Sequence, residues 1–400
     1  MKKFLTSILV VFVLVLGVAG IVYYKNIKGA LPAIRKPAGD IAKIINTTDM
    51  PLVLPSGFSI SIYAEGLIAP RVLFYLPDGN LAVSVPKEGK VLALLDEDKD
   101  GFAEKHLPVI EGLNRPNGLA ERCMGDTCKL YIAESDQVAE YDYDRASMRA
   151  INKKKLFTLP GGGNHFTRDI EFLPYPDDAK MLVSVGSSCN VCIEKDDRRA
   201  KVLEYDFATG KLAEFAKGLR NSVFMAIHPV TGEVWATEMG RDLLGDDTPP
   251  DEINIIKKDA NYGWPVCYGK NIHDTDFDRN TYIRNPCMDP FETPSYIDLQ
   301  AHSAPLGLAF FPEEGWPEEY WHDMLVAYHG SWNRTIPTGY KIVRFKLDES
   351  GVYQGEEDFI TGFMSEGKVY GRPVDILIQP GGTIFISDDK AGVIYKIDRP

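Results

Sequence analysis

Five short stretches of this 400-residue chain hold side chains able to grip an anion or move a proton. They are Asn114-Arg115-Pro116-Asn117, Gly163-Asn164-His165-Phe166-Thr167-Arg168-Asp169, Leu219-Arg220-Asn221, His302-Ser303-Ala304-Pro305 and Tyr370-Gly371-Arg372-Pro373. Arg and His recur in them beside Asn. In a chain of net charge -13, fixed cations gathered in one place suit a small multivalent anion, and each charged hydrogen bond contributes about 1.5–3 kcal/mol. An imidazole among them titrates near neutral pH and suits proton transfer.

A repeat brings these stretches together. Six apolar runs, most ending in a Pro-containing turn, fall at 73–77, 118–122, 170–174, 225–229, 308–312 and 374–380. Each is followed by a β-branched or aromatic run (79–84, 129–134, 181–186, 233–238, 324–329, 383–388) and then by a further strand (90–96, 138–144, 200–206, 252–258, 340–348, 392–398). A period of about 50 residues with several strands per unit predicts an all-β, six-bladed β-propeller. A lone sheet leaves both faces bare, so the blades must pack around an axis. The last blade ends at Asp398 without an outer strand. The alternating run Phe58-Ser59-Ile60-Ser61-Ile62-Tyr63 is spare, and it completes that blade and removes an open edge. Residues 266–303, rich in Asp, Asn and Pro, are read as an inserted loop. Loops entering the inner strands converge on the central channel, which is where the five stretches then meet.

The apolar fraction of 44% supplies a sizeable core, and the net negative charge argues against nucleic acid and broad adhesion to anionic lipid. Lys2 and Lys3 precede an uncharged apolar run over residues 4–23, about 30 Å as a helix, enough to span a bilayer. The charges place the domain outside. A cleaved signal ending near Val18-Ala19-Gly20 is the rival reading. The domain plan is therefore an anchor or signal segment at 1–24, a tether at 25–50 and the propeller at 51–400, in an extracytoplasmic setting. The six cysteines form three local couples, Cys123/Cys128, Cys189/Cys192 and Cys267/Cys287, which in an exported chain predict disulfides. Ile193 after Cys192 rules out a c-type haem attachment, so electrons would leave to a separate acceptor.

On these residues the chain resembles the soluble pyrroloquinoline quinone (PQQ)-dependent glucose/sorbosone dehydrogenases, most closely the L-sorbosone dehydrogenase branch. The resemblance runs from about Leu54 to Asp398. It is carried by Gly218-Leu219-Arg220-Asn221, by Asp251-Glu252-Ile253-Asn254 with Asn261-Tyr262-Gly263-Trp264-Pro265, and by Gly186-Ser187-Ser188-Cys189-Asn190. His329-Gly330-Ser331-Trp332-Asn333-Arg334 and Gly371-Arg372-Pro373-Val374-Asp375-Ile376 add to it. The resemblance implies PQQ and Ca²⁺ as cofactors and hydride transfer from a sugar or polyol to the quinone, with His165 as general base. It implies cofactor contacts from Asn164, Arg220, Asn221, Arg372 and, more loosely, Arg334. Gly240 and Arg241 fall where the family offers carbonyl oxygens to Ca²⁺. Asn164 stands where better-known members have Asp, Pro116 where a Gln is expected, and Arg241 where a Pro is found. Asp246, Asp247 and Asp251 read as a solvated acidic loop. The external acceptor would be a cytochrome or a quinone. Two other functions fit the architecture: a metal-dependent lactonase and a non-catalytic propeller that binds a glycan or a protein.

Overall fold

The computed structural model describes residues 45–125 and 127–399, in which Thr48 onward forms one compact unit. Residues 1–44, with the expected anchor and most of the tether, lie outside the described residues. Among the described residues no helix is long and apolar enough to cross a membrane.

Six four-stranded antiparallel sheets follow one another along the chain. From inner to outer strand, the first three are Leu73–Tyr75, Leu81–Val85, Lys90–Leu95, Lys105–Ile110; Leu119–Met124, Thr127–Glu134, Gln137–Asp144, Arg149–Thr158; and Ile170–Phe172, Lys180–Val185, Lys201–Asp206, Lys211–Lys217. The fourth is Ser222–Ile227, Val234–Glu238, Asp251–Ile256, Ile297–Leu299, and the fifth Pro305–Phe310, Met324–Tyr328, Lys341–Leu347, Tyr353–Ile360. The sixth takes Pro373–Ile378, Thr383–Asp388 and Val393–Asp398 from the end of the chain and its outer strand, Ser59–Ala64, from the beginning. Ser59 faces Asp398, Ile60 faces Ile397 and Ile62 faces Tyr395, so the ring is fastened by the strand the sequence left spare. One boundary moves: the expected inserted loop at 266–303 contains the fourth blade's outer strand, which pairs Ile253 with Ile297 and Asp251 with Leu299.

Each sheet buries both faces against its neighbours, which is why its middle strands are almost continuously apolar. Six buried apolar clusters result, each formed chiefly by two adjacent blades. The largest gathers Phe58, Phe311, Trp316, Tyr320 and Phe359 between the fifth and sixth blades. Polar clamps set the inner ring. Asp169 of the third blade accepts from the Met225 amide of the fourth at 2.7 Å, and Asp375 of the sixth accepts from the Leu73 amide of the first at 2.8 Å. Ser84, Ser184 and Ser387, at matching places in three second strands, each accept from an inner-strand amide at 3.0–3.1 Å. All three expected cysteine couples are disulfides, and no cysteine is free.

Candidate active site

The loops that enter the inner strands enclose a cavity of about 300 Å³, lined by His165, Arg220, Met239, Gly240, Asp242, Asp251, His302, Ala304, His329, Gly330, Trp332, Asn333 and Arg372. Its size is at the lower end of the range for small-molecule pockets.

His165 is held by a loop that two guanidinium groups strap down. Arg168, fully buried, donates to the carbonyls of His165, Thr167 and Pro160 at 3.0, 2.7 and 2.9 Å. Arg199 donates to the carbonyls of Pro160, Gly161 and Gly162 at 2.9, 2.9 and 2.7 Å. Gly162 and Gly163 take φ of 73° and 81°, which favours glycine. Behind the ring, a Cβ on Gly186 would lie 2.7 Å from His165 Cβ and 2.6 Å from Asn221 Oδ1, so only glycine lets them approach.

The hydrogen bonds fix the tautomer. Ser187 Oγ gives its proton to Cys189 O at 2.7 Å, so it accepts from His165 Nδ1–H, 3.0 Å away, as does Ser187 O at 3.0 Å. Nε2 is left with its lone pair. Burial, then repulsion by Arg220, pushes the His165 pKa down to about 3. The ring is therefore a neutral, preset proton acceptor.

Arg220, 5% exposed, is held by Asn190 O and Asn190 Oδ1 at 2.9 Å, Met239 O at 3.2 Å and Asp242 Oδ2 at 3.1 Å. Those contacts use four of its five N–H groups. Arg372 lies over the Tyr340 ring at 5.0 Å and donates to Tyr340 Oη at 3.1 Å, Gly330 O at 3.3 Å and His329 Nδ1 at 3.3 Å. Two of its five N–H groups stay free. His329 Nε2 donates in turn to Asp389, 2.9 Å away, which also pairs with Arg71.

The other expected site residues are placed unevenly. Asn221 adjoins the cavity, and its Oδ1 is buried without a partner. Gly240 lines the cavity, whereas the Arg241 side chain turns to Asp274 of the inserted segment at 3.2 Å. Neither the Gly240 nor the Arg241 carbonyl accepts a hydrogen bond from the described residues. Asn164 is exposed beside His165, and Arg334 pairs with the outward-facing Asp247 at 2.6 Å. Asp247 is the solvated carboxylate the sequence suggested, at 84% exposure, but Asp251 is not. It is buried, takes the amides of Gly240 and Ala304 at 2.9 Å each, and is pushed up to about 7 by burial.

Sequence reasoning missed Asp242, Asn190, Arg199 and Trp332 as site residues. Asp242 links Arg220 to Asn333, whose Nδ2 donates to it at 2.7 Å. Trp332 leaves 73% of its surface exposed at the mouth, a face on which a planar ring can stack. The signal for Trp332 was present in the stretch from His329 to Arg334. Asn190 lay in the stretch from Gly186 to Asn190, whereas Asp242 carries no local signature.

Comparison with known proteins bears on these features. The TrAA12-like family profile matches residues 52–400. The chain belongs to that family. An uncharacterized protein of Borreliella burgdorferi is 31% identical over 359 residues, spanning 86% of this chain and 90% of that protein. A pyrroloquinoline quinone-dependent pyranose dehydrogenase of Coprinopsis cinerea is 26% identical over 408 residues, 86% of this chain but 54% of that enzyme. This chain thus spans little more than half of the Coprinopsis enzyme's length. The calcium structure of a Trichoderma reesei carbohydrate-active enzyme of family AA12 superposes with a TM-score of 0.74 at 22% identity, covering 89% of this chain and 100% of that one. The six-bladed ring is the shared fold, and the expected kinship with PQQ-dependent sugar dehydrogenases holds at family level.

Proposed function

We propose that this domain oxidises a sugar or a related alcohol or hydrated aldehyde with PQQ and Ca²⁺ held in the cavity at the channel mouth. One observation supports the reading above all: His165, Arg220 and Arg372, from loops of three blades, line a single hollow, and an unprotonated ring nitrogen stands with two guanidinium groups. The donor set suits a planar tricarboxylate. One N–H of Arg220 and two of Arg372 remain to receive its oxygens, and the orphaned Asn221 Oδ1 offers an acceptor. The uncommitted carbonyls of Gly240 and Arg241 suit a cation that prefers oxygen ligands. Bound there, PQQ would supply the two-electron oxidant, with Ca²⁺ as its Lewis acid.

The chain's own part is proton transfer and orientation. His165 Nε2 takes the substrate hydroxyl proton, and the Nδ1–H bond to Ser187 steadies the imidazolium that results. An anionic partner beside the ring raises its basicity from the low value of the bare site toward neutral pH, where a general base works best. Asn164 and Arg334 each adjoin a lining residue and take supporting contacts. Exported localisation, with residues 4–23 as membrane anchor and a cytochrome or quinone as acceptor, completes the reading, and the three disulfides favour it. L-Sorbosone-like hydrated aldehydes fall within the substrate class. A lactonase would need free carboxylates for its metal, whereas Asp242 and Asp251 are committed to Arg220, Asn333 and two backbone amides.

The test is reconstitution of the purified chain with PQQ and Ca²⁺, followed by dye reduction across a panel of aldoses, ketoses and polyols. Calcium-dependent PQQ binding with turnover of at least one sugar is expected. No bound quinone at micromolar concentration overturns the reading.

A further inference from the structure

The turn closed by the Cys189–Cys192 disulfide touches both working side chains. Residues 186–200 form no strand or helix, so nothing regular fixes this segment. Yet Asn190, inside the cross-linked turn, takes two hydrogen bonds from Arg220, to O and Oδ1, both at 2.9 Å. The same Oδ1 accepts the Asp242 amide at 2.8 Å, and Asn190 Nδ2 returns a bond to Asp242 O at 3.0 Å. On the other side of the turn, Cys189 O holds the Ser187 hydroxyl at 2.7 Å, and that hydroxyl receives His165 Nδ1–H.

We propose that the disulfide-closed turn is a positioning element in which Asn190 sets Arg220 directly, and through it the charge facing His165, while the neighbouring Cys189 carbonyl sets His165 through Ser187. The cross-link limits the freedom of a segment whose carbonyls and amide would otherwise drift, and such outer contacts govern how precisely the inner groups are held. The geometry stands independently of the reaction; its catalytic consequence rests on the dehydrogenase reading.

The experiment compares the parent with Asn190→Ala, which keeps the disulfide, and with Cys189→Ser/Cys192→Ser, which keeps Asn190. The first readout needs no cofactor: the His165 imidazole is titrated by NMR in the apo-protein, its signal assigned by a His165→Ala control. In the parent the ring stays neutral below pH 5. In both variants its midpoint rises by about one pH unit or more as Arg220 moves off and water enters. In PQQ- and Ca²⁺-loaded protein, kcat falls roughly 10- to 100-fold with little change in KM, as a small misplacement produces. An unmoved His165 titration in Asn190→Ala, or an unchanged kcat, overturns the proposal. Should the double variant fail to fold, Asn190→Ala decides alone. A parent without dye reduction sinks the dehydrogenase reading, while a shifted titration in Asn190→Ala still supports the positioning role.

Discussion

The two ends of the central channel are built from the same six inner strands and differ in almost every other respect. Where the strands begin, a cavity of about 300 Å³ presents Arg220, Arg372 and three imidazoles. Where they end, a larger cavity of about 470 Å³ is walled by Phe74, Phe172, Phe310, Pro229 and Pro312 and holds Glu121 and Glu171. The larger hollow has no Arg, Lys or His among its lining residues to hold the anion that the smaller one attracts. The entering ends are fed by loops that can lengthen and carry donors without disturbing a sheet. Most leaving ends are short turns, several set by Pro, the fifth blade's segment with the 3-10 helix Glu318–Tyr320 being longer, and the lining residues there are mainly strand residues that pack. Volume therefore says less about chemistry than which end of the strand a residue occupies.

The sharpest way to break this contrast is to remove the base. His165→Ala should lower kcat by about 10²–10⁴-fold while PQQ affinity stays within a few-fold of the parent. Steady-state dye reduction and quenching of tryptophan fluorescence by PQQ measure the two separately. Survival of turnover would make the imidazole structural. Equal loss of both would make it a cofactor contact. Next in size is Arg372→Ala, which removes two free donors and the guanidinium stacked on Tyr340. PQQ binding should weaken roughly 10- to 150-fold, the range for one or so charged hydrogen bonds. Glu171→Gln, at the far end, should change neither number, and a loss of PQQ binding there would collapse the distinction between the ends.

The ring was legible because its signals are local and repeated. Alternation from Phe58 to Tyr63 marked the closing strand, observed as Ser59–Ala64, and turn residues marked the period. The outer strand Ile297–Leu299 was not legible, because three residues with an exposed Asp298 in the middle give no period to read. In the site, His165, Arg220 and Arg372 stood out as His or Arg just before an apolar strand. Their supports did not. Asp251 is buried by amides from Gly240 and from Ala304, 53 residues away, and Arg241 is turned aside by Asp274. Asn190 meets Asp242 across 52 residues. Such partners are chosen by the closed ring, and no window of sequence contains both.

The smallest effect sharpens the contrast from the far end. Burial raises the Glu171 carboxyl from its ordinary 4.5 to about 8. Between those values the folded protein keeps a proton that the unfolded chain has lost, so Glu171 makes stability fall as pH rises through that window. Gln cannot ionise, and the variant escapes the penalty. In the apo-protein, Glu171→Gln should therefore melt near the parent at pH 4 and about 2–4 °C above it at pH 9, a difference on the order of 1 kcal/mol. Differential scanning calorimetry at the two pH values reads this directly. An equal gain at both would trace the effect to packing of the amide, and no gain at pH 9 would mean that channel water already solvates the charge. A pH-dependent gain with PQQ affinity untouched would show that the far end's charge acts on stability alone, while the near end's acts on the ligand.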